Sequence, residues 1–169
     1  MGDGSKIRPL RLDDAVHYRE LRLLALRLHP ESFGSSFEEE TLLKNDVFAE
    51  RLKDGGVFGI WSGKELVACA GLALREKTKL RHKGHLWGMF VRPEARGCGI
   101  GKRLLRQVLT HSRTCCEEVL LTVVADNKAA HRLYAAAGFV EYGREPRAIK
   151  IGSDYFDELL MRLPLGGPT

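Results

Sequence analysis

One stretch limits what this chain can fold into more than any other. Residues 91–102 read Val-Arg-Pro-Glu-Ala-Arg-Gly-Cys-Gly-Ile-Gly-Lys, and they join an apolar run ending at Val91 to a helical pattern. Strand, glycine-rich turn, helix is an order that builds an anion site. Gly97, Gly99 and Gly101 let the main chain coil without Cβ clashes. Successive N–H groups then converge on one point, and the positive end of the helix adds to them. The ligand this suits is a phosphorylated cofactor. A merely tight strand-to-helix turn does not need three glycines in five residues.

The rest of the chain gives this turn an α/β setting. Residues 7–10 read as an opening strand. Asp13 or Asp14 can cap a helix in which Val16, Leu21, Leu24 and Leu28 share a face and Arg19, Arg22 and Arg27 fall off it. His29 and Pro30 stop that helix. Residues 30–37 form a breaker-rich loop whose Phe33 and Phe37 either line a pocket or pack beneath the loop. Residues 38–53 read as a second helix, with Leu42, Leu43, Val47, Phe48 and Leu52 inward and Gly55-Gly56 at its end. Strands follow at 57–61, 66–74 and 83–91. The helix over 99–112 carries Ile100, Leu104, Leu105, Val108 and Leu109 on one apolar face. Residues 118–124 are a buried-type strand, and Asn127 caps an alanine-rich helix ending at Gly138. Two strands close the chain at 140–147 and 155–163. The order β-α-α-β-β-β-α-β-α-β-β predicts one mixed sheet flanked by helices.

Composition narrows the class. The chain has 169 residues, enough for one well-buried core, so a single domain over 1–169 is expected, with its core at 6–163 and a loose tail at 164–169. No apolar run approaches ~18 residues, so no membrane partner is expected. The first six residues lack the apolar core of a signal peptide, which points to the cytoplasm. Cys69, Cys98, Cys115 and Cys116 show no metal spacing and read as free thiols in a reducing compartment. The net charge is +5, but the basic residues are scattered apart from those in 75–83. Without interleaved aromatics to stack bases, that cluster reads as a solvated hairpin loop and not a nucleic-acid surface.

Three glycine-rich precedents compete for the turn. A nucleotide P-loop needs Ser or Thr after Gly-Lys, and here Gly101-Lys102 precedes Arg103. The dinucleotide fingerprint needs G-x-G-x-x-G, and here the third glycine is misplaced; the next strand also ends in Val123-Val124, with no acidic residue. The third fits. Arg96-x-x-Gly99-x-Gly101 resembles the acyl-CoA pyrophosphate motif of the GNAT N-acetyltransferase superfamily. The preceding Phe-Val-Arg-Pro, the amphipathic helix, and Asn127, Tyr134, Gly138 and Phe139 downstream resemble that superfamily as well. The detailed match covers about 84–143.

The resemblance implies a GNAT acyl-CoA N-acyltransferase fold, with a mixed sheet of about six or seven strands and about four helices. It implies that the strands ending at Val91 and Val124 splay and admit acetyl-CoA between them. The backbone of Met89, Phe90 and Val91 would then pair with the pantetheine arm. Arg96 and the amides of Gly97, Cys98, Gly99, Ile100, Gly101 and Lys102 would hold the pyrophosphate, and Asn127 would reach the cofactor. It implies Tyr134 as the general acid for the departing sulfur and a backbone N–H at Phe90 or Val91 as oxyanion donor. The glutamate that many members use as base falls at Thr122, which cannot serve, and His85 takes the matching place on the other strand. Neutral histidine is a competent base near pH 7. His85 reads equally as a surface strand histidine, and His82, or a water chain ending on Glu31 or another loop carboxylate, stays open as an alternative base.

The implied reaction is acetyl transfer to a primary amine of a small molecule or peptide, by direct attack in a ternary complex. Phe33, Phe37 and Tyr155, with Phe156, suggest a partly apolar acceptor site. Glu38, Glu39 and Glu40 read as an acid-rich helix start or as a lure for a cationic amine. The competing reading is a non-catalytic acyl-CoA-binding module. The final hairpin offers an edge strand for a homodimer.

Overall fold

A computed structural model describes residues 5–166. The elements run β1 (Lys6–Pro9), α1 (Ala15–Leu28), α2 (Phe37–Thr41), α3 (Asn45–Leu52), β2 (Val57–Ser62), β3 (Glu65–Leu74), β4 (Lys83–Val91), α4 (Ile100–Ser112), β5 (Glu118–Val124), α5 (Lys128–Ala136), β6 (Val140–Ile151) and β7 (Asp154–Pro164). The seven strands form one sheet in the order β1-β2-β3-β4-β5-β7-β6. Among the described residues β4 and β5 are the one parallel pair, and every other neighbour is antiparallel. The crossover that parallel pairing requires is α4.

Each face of the sheet buries its own core. On one face Leu104, Leu105 and Val108 of α4 pack against Ala68, Ala70 and Leu72 of β3 and Val119 and Leu121 of β5. On the other, Tyr18, Leu21 and Ala25 of α1 and Phe48 and Leu52 of α3 cover Leu66, Cys69 and Phe90. Leu104, Val108 and Leu21 are fully buried, and each contributes about 1.5–3 kcal/mol by leaving water.

Five α-helices are present where the pattern suggested about four, because residues 38–53 form two helices and not one. Ser36 explains the first start: its hydroxyl accepts from Glu39 N at 3.1 Å, and the Glu39 carboxylate accepts from Ser36 N at 3.0 Å. Glu40 is then drawn inward, 2 % exposed, and Leu42, expected inside, is 84 % exposed at the break. The buried stripe of α1 is also rotated from expectation. Val16 and Leu28 face solvent, while Arg22 lies inside because Glu40 meets its charge. Asp14 precedes α1 without capping it by its side chain; Arg8 takes its carboxylate at 2.6 Å and 2.9 Å.

At the other end β6 runs past its expected stop at 147. Arg147, at φ 56°, sits within a register shift, and pairing resumes at Ile149 with Phe156. The Asp157 carboxylate anchors this kink by accepting from Arg147 N at 2.8 Å and from Arg144. The tail is less loose than expected. Pro164 closes β7 opposite Glu118, and Leu165 N donates to Glu117 O at 2.8 Å. The rest of the expected tail, 167–169, lies outside the described residues.

Candidate active site

The site begins where two parallel strands part. β4 and β5 pair from Lys83 with Glu118 as far as His85 with Leu120, and no further. A bulge accompanies the parting. Against β3, Trp87 pairs with Gly71 and Phe90 with Cys69, so β4 spends one more residue than its partner. Gly88 takes that residue at φ +61°. Gly71 makes room for it, since a Cβ there would run into the Trp87 ring. Beyond His85 the open edge of β4 therefore faces a cavity of about 660 Å³ instead of a strand. Met89, Phe90 and Val91 line it from β4 and Val124 from β5.

The glycine turn closes one end of that cavity. Gly97 and Gly99 hold φ of +84° and +78°, which explains glycine at both. Gly101 has an ordinary backbone, and a Cβ there would touch Leu133, Met89 and Val91 at 3.6–3.7 Å. Neither its backbone nor its surroundings require glycine. No amide from Gly97 to Lys102 has an acceptor among the described residues; the first helical bond runs from Arg103 N to Gly99 O at 3.0 Å. Cys98 turns its thiol back to Ala95 O at 3.2 Å and, unlike its neighbours in the turn, does not line the cavity. Arg96 ties the turn to β4, donating from Nε to Val91 O at 3.0 Å, with Nη2 3.1 Å from His29 Nε2. Gly97, Ile100, Gly101 and Lys102 line the cavity.

α5 supplies the far wall. Asn127 caps it by accepting from Ala130 N at 3.1 Å, which leaves its NH₂ group for a ligand. One helical stretch later Tyr134 lies 8 % exposed, its ring edge-on to Phe139 at 5.9 Å. Burial pushes its phenol up to about 12, so it stays protonated across the neutral range. Its hydroxyl has no partner among the described residues.

A second cavity of about 250 Å³ shares Phe33, Met89, Asn127 and Tyr134 with the first and extends deeper. It brings in His85 from β4, Thr122 from β5, Glu158 from β7 and Arg22 from α1. Burial, with the nearby Arg75 charge, lowers His85 below its ordinary value and favours the neutral ring. Burial raises the Glu158 carboxyl, against a hydrogen bond from Thr122 and together with the charge of Glu145.

Phe33 lines both cavities, and Phe156 lines the first. Phe37 lines neither: it packs under the Arg27 guanidinium at 4.5 Å. Tyr155 also lies apart, exposed and stacked on Arg147 at 3.8 Å. Glu40, one of the acidic trio, is held by Arg22 and Arg51, and Glu39 is spent on its cap, so neither is free to draw an amine. Sequence reasoning missed Glu158 and Arg22. It also missed the Gly88 bulge, which a lone glycine inside a strand signals.

Comparison with known proteins decides the family. The acetyltransferase (GNAT) family model matches residues 18–139. The chain belongs to the GNAT acetyltransferase family. It is 36 % identical over 112 residues to the N-alpha-acetyltransferase RimI of Mycobacterium tuberculosis, covering 66 % of this chain and 67 % of that one. It is 31 % identical over 150 residues to glucosamine 6-phosphate N-acetyltransferase 1 of Oryza sativa subsp. japonica, covering 83 % and 84 %. The GNAT-family acetyltransferase of Streptococcus pneumoniae shares the fold at a TM-score of 0.85 and 20 % identity, covering 96 % of this chain and 99 % of that one.

As a GNAT member the chain is an acetyl-CoA-dependent N-acetyltransferase. The cleft fits that cofactor on its own terms. Six amides without acceptors suit a diphosphate, the Lys102 ammonium adds charge, and the unpaired edge of β4 offers main-chain groups to a pantetheine amide. No helix of the described residues is long and apolar enough to cross a membrane.

Proposed function

We propose that this GNAT enzyme transfers an acetyl group to the primary amine of a small molecule or peptide, by direct attack in a ternary complex. The observation that carries the proposal is the parting of β4 and β5 after His85, with acceptor-less amides at one end of the gap and the Tyr134 phenol beside it. Acetyl-CoA supplies the activated acyl group as a thioester.

The chain's own residues then have separate tasks. The amides from Gly97 to Lys102 fix the diphosphate, with Arg96 bracing the coil. Met89, Phe90 and Val91 hold the pantetheine arm along β4, and Asn127 reaches it with its NH₂ group. Successive strand N–H groups alternate between edges, so one of Phe90 and Val91 points into the gap and donates to the acyl oxygen. Neutral His85 takes the proton from the attacking amine, and Glu158 draws the incoming ammonium. Tyr134 donates its proton to the departing sulfur. Phe33 walls the acceptor side. One catalytic domain and a cytoplasmic location complete this reading, the latter resting on four free thiols.

Acetyl transfer to a panel of amines, followed by thiol release, tests the proposal. Tyr134→Phe should lower kcat by about 10²–10⁴-fold. CoA affinity by calorimetry should change little, because the phenol is asked to act on the leaving sulfur. Equal losses in binding and turnover would contradict the role.

A further inference from the structure

Arg22 is a buried arginine with unfinished chemistry. Its side chain is 8 % exposed. Nε lies 3.2 Å from both Glu40 oxygens, and Nη2 lies 2.9 Å from Oε1. Arg51 Nη1 takes the other Glu40 oxygen at 2.9 Å. Two guanidinium groups therefore share one carboxylate, and neither can shed its proton. The cluster keeps one positive charge in excess.

Nη1 of Arg22 is the part left over. It has no hydrogen-bond partner among the described residues. It lies beside the β4 bulge, 3.8 Å from where a Gly88 Cβ would stand, and Arg22 lines the deeper cavity with His85 and Glu158. Phe33 covers one face of the guanidinium at 4.9 Å, and Nη1 on its edge is left to hydrogen-bond. A neutral carbonyl would satisfy the N–H groups but not the charge. An oxyanion satisfies both.

We propose that the acceptor is a small amine that also carries an oxyanion, a carboxylate or a phosphoryl group, and that Arg22 Nη1 anchors it. This rests on the acetyltransferase reading of the same cleft. The amine end then lies toward His85 and Glu158, and the anionic end lies toward α1. The deeper cavity, about 250 Å³, suits an acceptor smaller than a drug-sized ligand. Arg22 is a specificity residue here and takes no part in the bond-making step.

The test uses the full chain and matched acceptor pairs: amino acids against their carboxamides, and aminoalkyl phosphonates against aminoalkyl alcohols. Wild type should prefer the anionic member by about 10- to 100-fold in kcat/KM, the range for one charge-assisted hydrogen bond. The difference should fall in KM, and calorimetry should show the same order of acceptor affinity. Whichever pair shows the larger ratio identifies the carboxylate or the phosphoryl group. Arg22→Lys keeps the charge and loses the fork, and should shrink the ratio severalfold. Acetylation of both members at equal efficiency by wild type would overturn the assignment while leaving the acetyltransferase reading intact. An unchanged ratio in Arg22→Lys would overturn it too. Should that variant fail to fold, the wild-type ratio alone decides. Absence of transfer to every amine, despite CoA binding, would instead sink the reading of the cleft and this inference with it.

Discussion

The two ends of the cleft are made of different material. The proposed cofactor end is main chain: a coil of amides, the edge of one strand, and glycines that keep side chains away. The proposed acceptor end is side chain: Arg22, His85, Thr122 and Glu158, drawn from four elements. Main-chain recognition tolerates sequence drift wherever the turn survives. Side-chain recognition changes with each residue. One enzyme family can therefore keep a donor and change its acceptors, and the difference between the two ends predicts how each responds to substitution.

The largest response belongs to the charged acceptor end. Glu40→Gln leaves two arginines without their shared anion, and should cost about 3 kcal/mol in denaturant unfolding. Burial raises the Glu40 carboxyl, but hydrogen bonds from Arg22 and Arg51 outweigh it and hold the group below its ordinary 4.5. Its contribution is full above the unfolded-state value and is lost as pH falls through the lower folded-state value. The variant should therefore show a shallower acid limb of stability. A loss under about 0.5 kcal/mol would mean that the network is ornamental.

His85→Gln should come next, lowering kcat/KM by about 10²-fold. Since His85 is shifted below 6.5, the wild-type activity should climb with pH through a midpoint under that value and level off before neutrality. The variant should lack that climb. A variant that keeps it would move the base to another group, with Glu158 the first to try.

The main-chain end should respond least to small changes. Gly99→Ala places a Cβ in open space but at φ +78°, which costs roughly 1 kcal/mol, or about fivefold in CoA affinity by calorimetry. Gly101→Ala meets only ordinary contacts at 3.6–3.7 Å, and should weaken CoA less than Gly99→Ala does. The reverse order would mean that room, and not the coil, governs the turn.

That contrast also explains what could be read from the chain alone. β4 and β5 lie at residues 83–91 and 118–124, where the apolar runs place them, because a buried strand is written continuously. Gly97 and Gly99 announce their conformation locally. The acceptor end is written nowhere in one piece. Arg22 looks solvent-facing by periodicity until Glu40 arrives from α2 to neutralise it. Glu158 is one carboxylate in a strand until the β5–β7 register sets it opposite Val124 and beside the cleft. The break within 38–53 escaped for a similar reason: it follows from the inward pull on Glu40 and not from any helix-breaking residue.

A crystal structure with CoA bound tests the account most directly. The diphosphate should lie within hydrogen-bonding distance of the amides between Gly97 and Lys102, with the pantetheine arm running along Met89 to Val91 and its sulfur beside Tyr134. A diphosphate seated elsewhere, or a pantetheine that avoids the gap between β4 and β5, would contradict it.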